Sequence, residues 1–205
     1  MDVDSTLITA EVVELLADRA GSRDLVAQIT ERAMRGEIDF AASLHERVAT
    51  LAGLPDTVFA DVLAEVELTA GARELVAELH RRGWPVGLVS GGFVEVVRPL
   101  AESLGITLVR ANELEVADGR LTGRVRGTVV DRRVKESTLR EFAAASGVPM
   151  ERTVAIGDGA NDLDMLAAAG LGVAFNAKPV VCDRADAVVR GRLDAVLELP
   201  ALADV

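Results

Sequence analysis

The chain has 205 residues, half of them apolar and 3% aromatic, with a formal net charge of −11. That length allows one domain, or one domain with a small insertion. The acidic balance argues against nucleic acid, whose binding proteins present a basic patch, but a metal and a few placed cations would still admit an anionic substrate. A single cysteine, Cys182, leaves no intrachain disulfide and fits a reducing cytoplasm. With no histidine beside it, Cys182 reads as a small core residue rather than a nucleophile. No signal peptide is visible and no apolar run approaches a membrane span, so neither export nor a membrane is expected.

Met1-Asp2-Val3-Asp4-Ser5-Thr6-Leu7 opens the chain. In an extended strand end, residues i and i+2 point the same way, so Asp2 and Asp4 should reach one pocket. Two carboxylates that close repel unless a cation neutralises them or they share a proton. The pattern suits a hard divalent cation, or a pair split into nucleophile and acid/base. It also fits a plain turn leading to a helix cap. Only Met1 precedes Asp2, where several apolar strand residues are expected. Either the strand is that short or the true start lies upstream, and an apolar extension is expected to stabilise the chain.

Residues 10–66 read as helices throughout. Val12, Val13, Leu15 and Leu16 make an apolar face, and helical segments follow around 23–34, 39–51 and 56–66. Gly36, Gly53 and Pro55 punctuate them. From residue 70 helices and strands alternate. A helix over 71–82 leads to a short apolar strand over 85–89, which stops at Ser90-Gly91-Gly92. Phe93, Val96, Val97, Leu100 and Leu104 form a helical stripe. A strand over 106–109 precedes a hairpin around Asp118-Gly119. A helix spans about 134–146, a strand 153–156, a helix 161–169, and strands 171–175 and 187–189. Repeated βα units imply a parallel sheet with helices on both faces, with ligands at the carboxyl ends of its strands.

The chemistry-bearing residues all fall at those ends. Ser90-Gly91-Gly92 would let the backbone approach an anion, with a helix N-terminus behind it. Gly157-Asp158-Gly159-Ala160-Asn161-Asp162 places two carboxylates and an amide on a strand–turn–helix junction. Helix capping needs only one of them, and Asp158 is a good further carboxylate for a cation held by Asp2. Lys135 opens a helix after an Arg-rich segment.

Together, Asp2-Val3-Asp4-Ser5-Thr6, Ser90-Gly91-Gly92-Phe93, Lys135 and Gly157-Asp158-Gly159-Ala160-Asn161-Asp162 resemble the haloacid-dehalogenase superfamily, in particular its phosphoserine phosphatase branch. The resemblance implies a Rossmann-like α/β core over 1–9 and 70–205, with a small helical cap, 10–69, inserted after the first strand. It implies Mg²⁺-dependent hydrolysis of O-phospho-L-serine through an aspartyl-phosphate, the last step of serine biosynthesis. Asp2 would be the nucleophile and Asp4 the general acid/base. Mg²⁺ would sit on Asp2, the Asp4 backbone carbonyl and Asp158. Lys135, Ser90 and the N–H groups near Gly91 would hold the phosphoryl oxygens. Asn161 would orient the phosphate or the substrate, and Asp162 would support Lys135 or metal-bound water. In the cap, Glu11, Met34, Phe40 and Arg47 fall where the family contacts its substrate, Glu11 pairing with the ammonium and Arg47 with the carboxylate. The expected partner is a small molecule, not nucleic acid or a membrane, acted on by a monomer or homodimer. Two readings stay open: a same-fold enzyme for another small phosphate such as phosphohomoserine, and a silent phosphate- or metal-binding domain.

Overall fold

The computed structural model describes residues 1–203, apart from the side chains of Met34 and Ala203. Four helices follow the opening segment: α1 (Val12–Ala20), α2 (Arg23–Met34), α3 (Phe40–Ala49) and α4 (Val58–Glu65). Local signals set their ends. Gly21 closes α1 in the left-handed region, at φ 66°, with its N–H on the Ala17 and Asp18 carbonyls. Asp39 caps α3 by accepting from the Ala42 N–H.

Then come α5 (Ala72–Arg81), β1 (Gly87–Phe93), α6 (Val94–Ser103), β2 (Leu108–Ala117), β3 (Arg120–Arg126) and α7 (Arg132–Ala145). The chain continues through β4 (Val154–Gly157), α8 (Leu163–Ala168), β5 (Leu171–Phe175), α9 (Pro179–Cys182), β6 (Ala187–Val189) and α10 (Pro200–Ala203). The β2–β3 hairpin turns at Asp118 and Gly119, both at positive φ (51° and 72°), as a tight two-residue hairpin turn requires.

The strands form two groups. One has the order β1-β2-β3, with β1 parallel to β2 and β3 antiparallel; the other is β4-β5-β6, all parallel. Met1 and Asp2 bridge them. The Met1 nitrogen donates to the Gly87 carbonyl (2.6 Å) and the Val89 N–H to the Met1 carbonyl (3.0 Å). This pair straddling Leu88 is the pattern of a parallel ladder. On the other side the Asp2 N–H donates to the Ile156 carbonyl (2.9 Å). The opening segment therefore lies between β1 and β4, but the regular strand expected there is not formed: the chain turns at Asp4, and Ser5 sits at φ 57°. Beside Met1 is a cavity of about 560 Å³, lined on one side by Gly87 and Val89 and on the other by Val154 and Ile156, with Leu79 and Phe142 from flanking helices.

One apolar core runs from Val3 and Leu7 through Val13, Leu16, Leu44 and Val62 of the first helices to Leu88, Val96, Ile156 and Val173. A second, between the sheet and α7, α8 and α9, gathers Val89, Val130, Ala155, Met165, Leu166 and Val181. Helices thus cover both faces. Cys182 is only half-buried, its thiol 3.4 Å from the Ala177 carbonyl, so it is less of a core residue than expected. Two other expectations shift. β1 runs on through the glycines to Phe93, which pairs with Asn112 after a register shift, and β2 is longer than 106–109, because it continues past its pairing with β1 into the hairpin with β3.

Candidate active site

The site assembles where the opening segment, β1 and β4 end side by side. Asp2 is buried, and its Oδ1 accepts from its neighbour's Val3 N–H (2.7 Å). Lys135 reaches it from the first turn of α7, where Asp131 caps the helix by accepting from the Arg133 and Val134 N–H groups. Lys135 Nζ lies 2.8 Å from Asp2 Oδ1 and 2.8 Å from Asp162 Oδ1, and it has no solvent exposure. Asp162 Oδ2 in turn accepts from the Gly159 N–H (3.0 Å). Gly157 makes room for Asp162: a side chain at 157 would meet its carboxylate carbon at 2.5 Å. Asp162 directly precedes α8 but makes no side-chain cap to it; one of its oxygens accepts from the Gly159 N–H behind it and the other holds the lysine.

Asp2, Asp158 and Asp162 each offer a carboxylate oxygen within 4.8 Å of the other two. Thr6, which has no part in the expected chemistry, donates its hydroxyl to Asp158 Oδ1 (2.8 Å) and so orients that carboxylate. Its place two residues after Asp4 in the opening motif was the available signal. Asp4 has a buried Oδ1 with no hydrogen-bond partner, and its other oxygen lies close to Gly92. A side chain at 92 would come within 2.9 Å of it.

The electrostatics follow from crowding. Burial pushes the Asp2 carboxyl up to about 7, with the Asp162 charge adding and Lys135 opposing. Burial also raises Asp158, to about 6, against its hydrogen bond from Thr6. Asp4 is held well above the usual carboxylate range by burial, then by Glu11 and Asp2. Burial disfavours the Lys135 charge, but Asp2 and Asp162 outweigh it and hold the ammonium above its ordinary value. One ammonium faces three close carboxylates, so the pocket carries excess negative charge. Such an oxygen donor set, with an unpartnered carboxylate oxygen nearby, fits a hard divalent cation.

The Ser90-Gly91-Gly92 segment forms the adjoining wall. Ser90 is fully buried and its Oγ accepts from the Gly92 N–H (2.8 Å). A side chain at 91 would meet Phe40 Cζ at 3.2 Å and Asn161 Nδ2 at 4.0 Å, so α3 and the Gly159–Asp162 turn converge over Gly91. Glu11, half-buried just before α1, accepts from the Ser5 hydroxyl (2.8 Å). Arg47 lies in the last turn of α3, its Nε on the Ser43 carbonyl (3.3 Å). Burial lowers its pKa, while Glu11, Asp4 and Glu14 pull the other way. Glu11, Phe40 and Arg47 are thus drawn toward Asp4 and Gly91. Met34 ends α2, and its side chain falls outside the described residues.

A haloacid dehalogenase-like hydrolase model matches residues 1–167. A phosphoserine phosphatase of Streptomyces coelicolor is 62% identical over 200 residues, covering 97% of this chain and 49% of the relative. One from Streptococcus thermophilus is 57% identical over 181 residues, covering 88% of this chain and 84% of the relative. The chain spans about half the length of the Streptomyces coelicolor and Mycobacterium tuberculosis relatives, 49% of each. A substrate-bound phosphoserine phosphatase superposes with a TM-score of 0.90 at 40% identity, covering 96% of this chain and 94% of that one. Among the described residues no helix is long and apolar enough to cross a membrane. The chain belongs to the haloacid dehalogenase-like hydrolase family.

Proposed function

We propose that this chain hydrolyses O-phospho-L-serine to L-serine and phosphate, closing serine biosynthesis in the cytoplasm. The observation that carries the reading is the buried Lys135 ammonium, shared by Asp2 and Asp162 beside a third carboxylate, Asp158. A fully buried lysine is costly unless paired. Here it lies where it can hold both a nucleophile and a phosphoryl oxygen. The substrate comes from the relatives, which bear that name over most of this chain, and from the substrate-bound structure of similar fold.

In this reading Asp2 attacks phosphorus, the bond to the serine oxygen breaks, and Asp4 gives that oxygen its proton. The raised Asp4 suits the acid role, because burial and the nearby carboxylates favour its protonated form. Asp4 then takes a proton from water, and the water displaces phosphate from Asp2. Asp2 must be ionised to attack, yet burial holds its pKa near neutrality. Asp2, Asp158 and the Asp4 backbone carbonyl would hold Mg²⁺, which supplies positive charge that favours ionised Asp2 and shields it from the phosphate. Lys135, Ser90 and the backbone around Gly91 bind the phosphoryl oxygens and stabilise the charge that develops on them. Asn161 orients the substrate, and Asp162 fixes Lys135.

Residues 10–69 serve as a cap over the core formed by 1–9 and 70–205. From it Glu11 pairs with the substrate ammonium and Arg47 with its carboxylate, while Phe40 closes the apolar side. The cap excludes water during the first step and releases product on opening. The test is to quench the enzyme during turnover of ³²P-phosphoserine and map the label. Acid-stable, hydroxylamine-labile label on the peptide containing Asp2 is expected; turnover with label elsewhere, or with none, would contradict the mechanism.

A further inference from the structure

Asn112 is buried (1% exposed) in β2 and belongs to none of the motifs above. Both ends of its amide are engaged. Nδ2 donates to the Gly91 carbonyl (2.7 Å), and Oδ1 accepts from the Val130 N–H (2.8 Å). A carbonyl only accepts and a backbone N–H only donates, so the orientation of the amide is unique.

These contacts fall at an irregularity in the sheet. β1 and β2 pair regularly from Gly87 with Leu108 to Val89 with Arg110, and then Phe93 pairs with Asn112. Four steps along β1 therefore face two along β2. Ser90, Gly91 and Gly92 bulge out of the ladder opposite Ala111, and a bulge leaves backbone groups without ladder partners. The Asn112 side chain takes the place of the missing strand partner for Gly91.

The consequence runs through one peptide unit. In a trans peptide the carbonyl of Gly91 and the N–H of Gly92 point in opposite directions. Holding the Gly91 oxygen on Asn112 therefore aims the Gly92 N–H the other way, where it meets Ser90 Oγ at 2.8 Å. A hydroxyl that accepts from that N–H keeps its own proton free to donate. At its other end Asn112 grips Val130, the residue before the cap of α7, the helix that carries Lys135.

We propose that Asn112 is a positioning residue for the phosphoryl site. Through the Gly91–Gly92 peptide it fixes Ser90 as a hydrogen-bond donor, and through Val130 it sets the spacing between that donor and the Lys135 helix. This rests on the reading of Ser90 and Lys135 as phosphoryl ligands.

The test is a double-mutant cycle of Asn112→Ala and Ser90→Ala on the Mg²⁺-loaded chain. It is read by calorimetric binding of inorganic phosphate and by kcat on phosphoserine, with melting curves as the check on folding. Asn112→Ala should weaken phosphate binding roughly five- to tenfold in the wild type, the worth of one net hydrogen bond. In the Ser90→Ala background it should cost less than about twofold, because coupled residues are not additive. A purely structural asparagine would cost the same in both backgrounds, and that result overturns the proposal. So does wild-type phosphate affinity in the single Asn112 variant. If the alanine variant melts below the assay temperature, Asn112→Asp replaces it in the cycle under the same criterion. It keeps the shape and the acceptor for Val130 but removes the donor to Gly91. Phosphate binding does not depend on the organic part of the substrate. A wild type that binds phosphate but leaves phosphoserine intact would fail the proposed function alone, and the cycle would still report on Asn112.

Discussion

Lys135 Nζ and Asp2 Oδ1 lie 2.8 Å apart with the lysine wholly shielded from solvent, although 133 residues of sequence separate them. The same ammonium touches Asp162, so the proposed nucleophile shares its cation with a second carboxylate. Asp2 stays raised despite this ion pair chiefly because it is buried, and the negative charge of Asp162, which shares the lysine, adds to the effect.

The first expectation concerns Asp2→Asn. An amide is nearly isosteric but is not a competent nucleophile, so turnover should vanish. The fold should persist, because Lys135 keeps Asp162 and the Val3 N–H keeps an acceptor. Removing one buried carboxylate from a crowded set should leave the metal-free melting temperature unchanged or higher. Substantial phosphatase activity, in protein free of wild type and of deamidated variant, removes Asp2 from its role.

A second concerns pH. Asp2 and Asp158 titrate near 7 and 6 in the fold but near 4 in an unfolded chain. Between those values the folded state binds more protons than the unfolded state, so stability falls as pH rises. Chelator-treated protein should therefore melt progressively higher as pH is lowered from about 8 to about 5. Saturating Mg²⁺ favours the ionised carboxylates and should flatten or reverse that slope. Parallel slopes with and without the cation would mean that these carboxylates do not bind it.

Much of this site was legible in the sequence. Asp2, Asp158 and Asp162 converge because each follows or sits beside a strand end, and β4 and β5 lie where their apolar runs placed them. Two things were not legible. Asn112 sits in a stretch that reads only as the approach to a hairpin, and its role depends on a register shift between two strands, which residue types do not encode. Thr6 stands inside the opening motif, but its partner Asp158 is 152 residues away. Asp2 and Asp4 do reach one region, yet a turn at Asp4 brings them there instead of the expected strand alternation.

Arg47→Ala should separate two substrates. KM for phosphoserine should rise about ten- to a hundredfold, the loss of a charge-assisted bond. KM for p-nitrophenyl phosphate, which has no carboxylate, should change little. Equal effects on both would mean that Arg47 does not read the carboxylate, despite its place near Glu11 and Asp4.

The cavity beside Met1 gives a further expectation. It lies between β1 and β4, and the bonds of Met1 to Gly87 and Val89 already follow a parallel ladder. Four or five apolar strand-forming residues added before Met1 should continue that ladder into it. Each buried Val or Ile contributes roughly 1.5–3 kcal/mol, and a nucleophile set in a longer strand frays less. Melting temperature and kcat should both rise. If neither does, the cavity does not accept a strand.

The most direct test of the central claim is phosphate release from O-phospho-L-serine by the purified chain, with Mg²⁺ and with excess chelator. Steady turnover with Mg²⁺, abolished by chelator and restored on adding the metal back, is the expected result. Ca²⁺ should not substitute, because it favours longer bonds and more ligands, which would take the attacking oxygen of Asp2 out of line. No release with Mg²⁺ present, or full activity in chelator, would contradict the account.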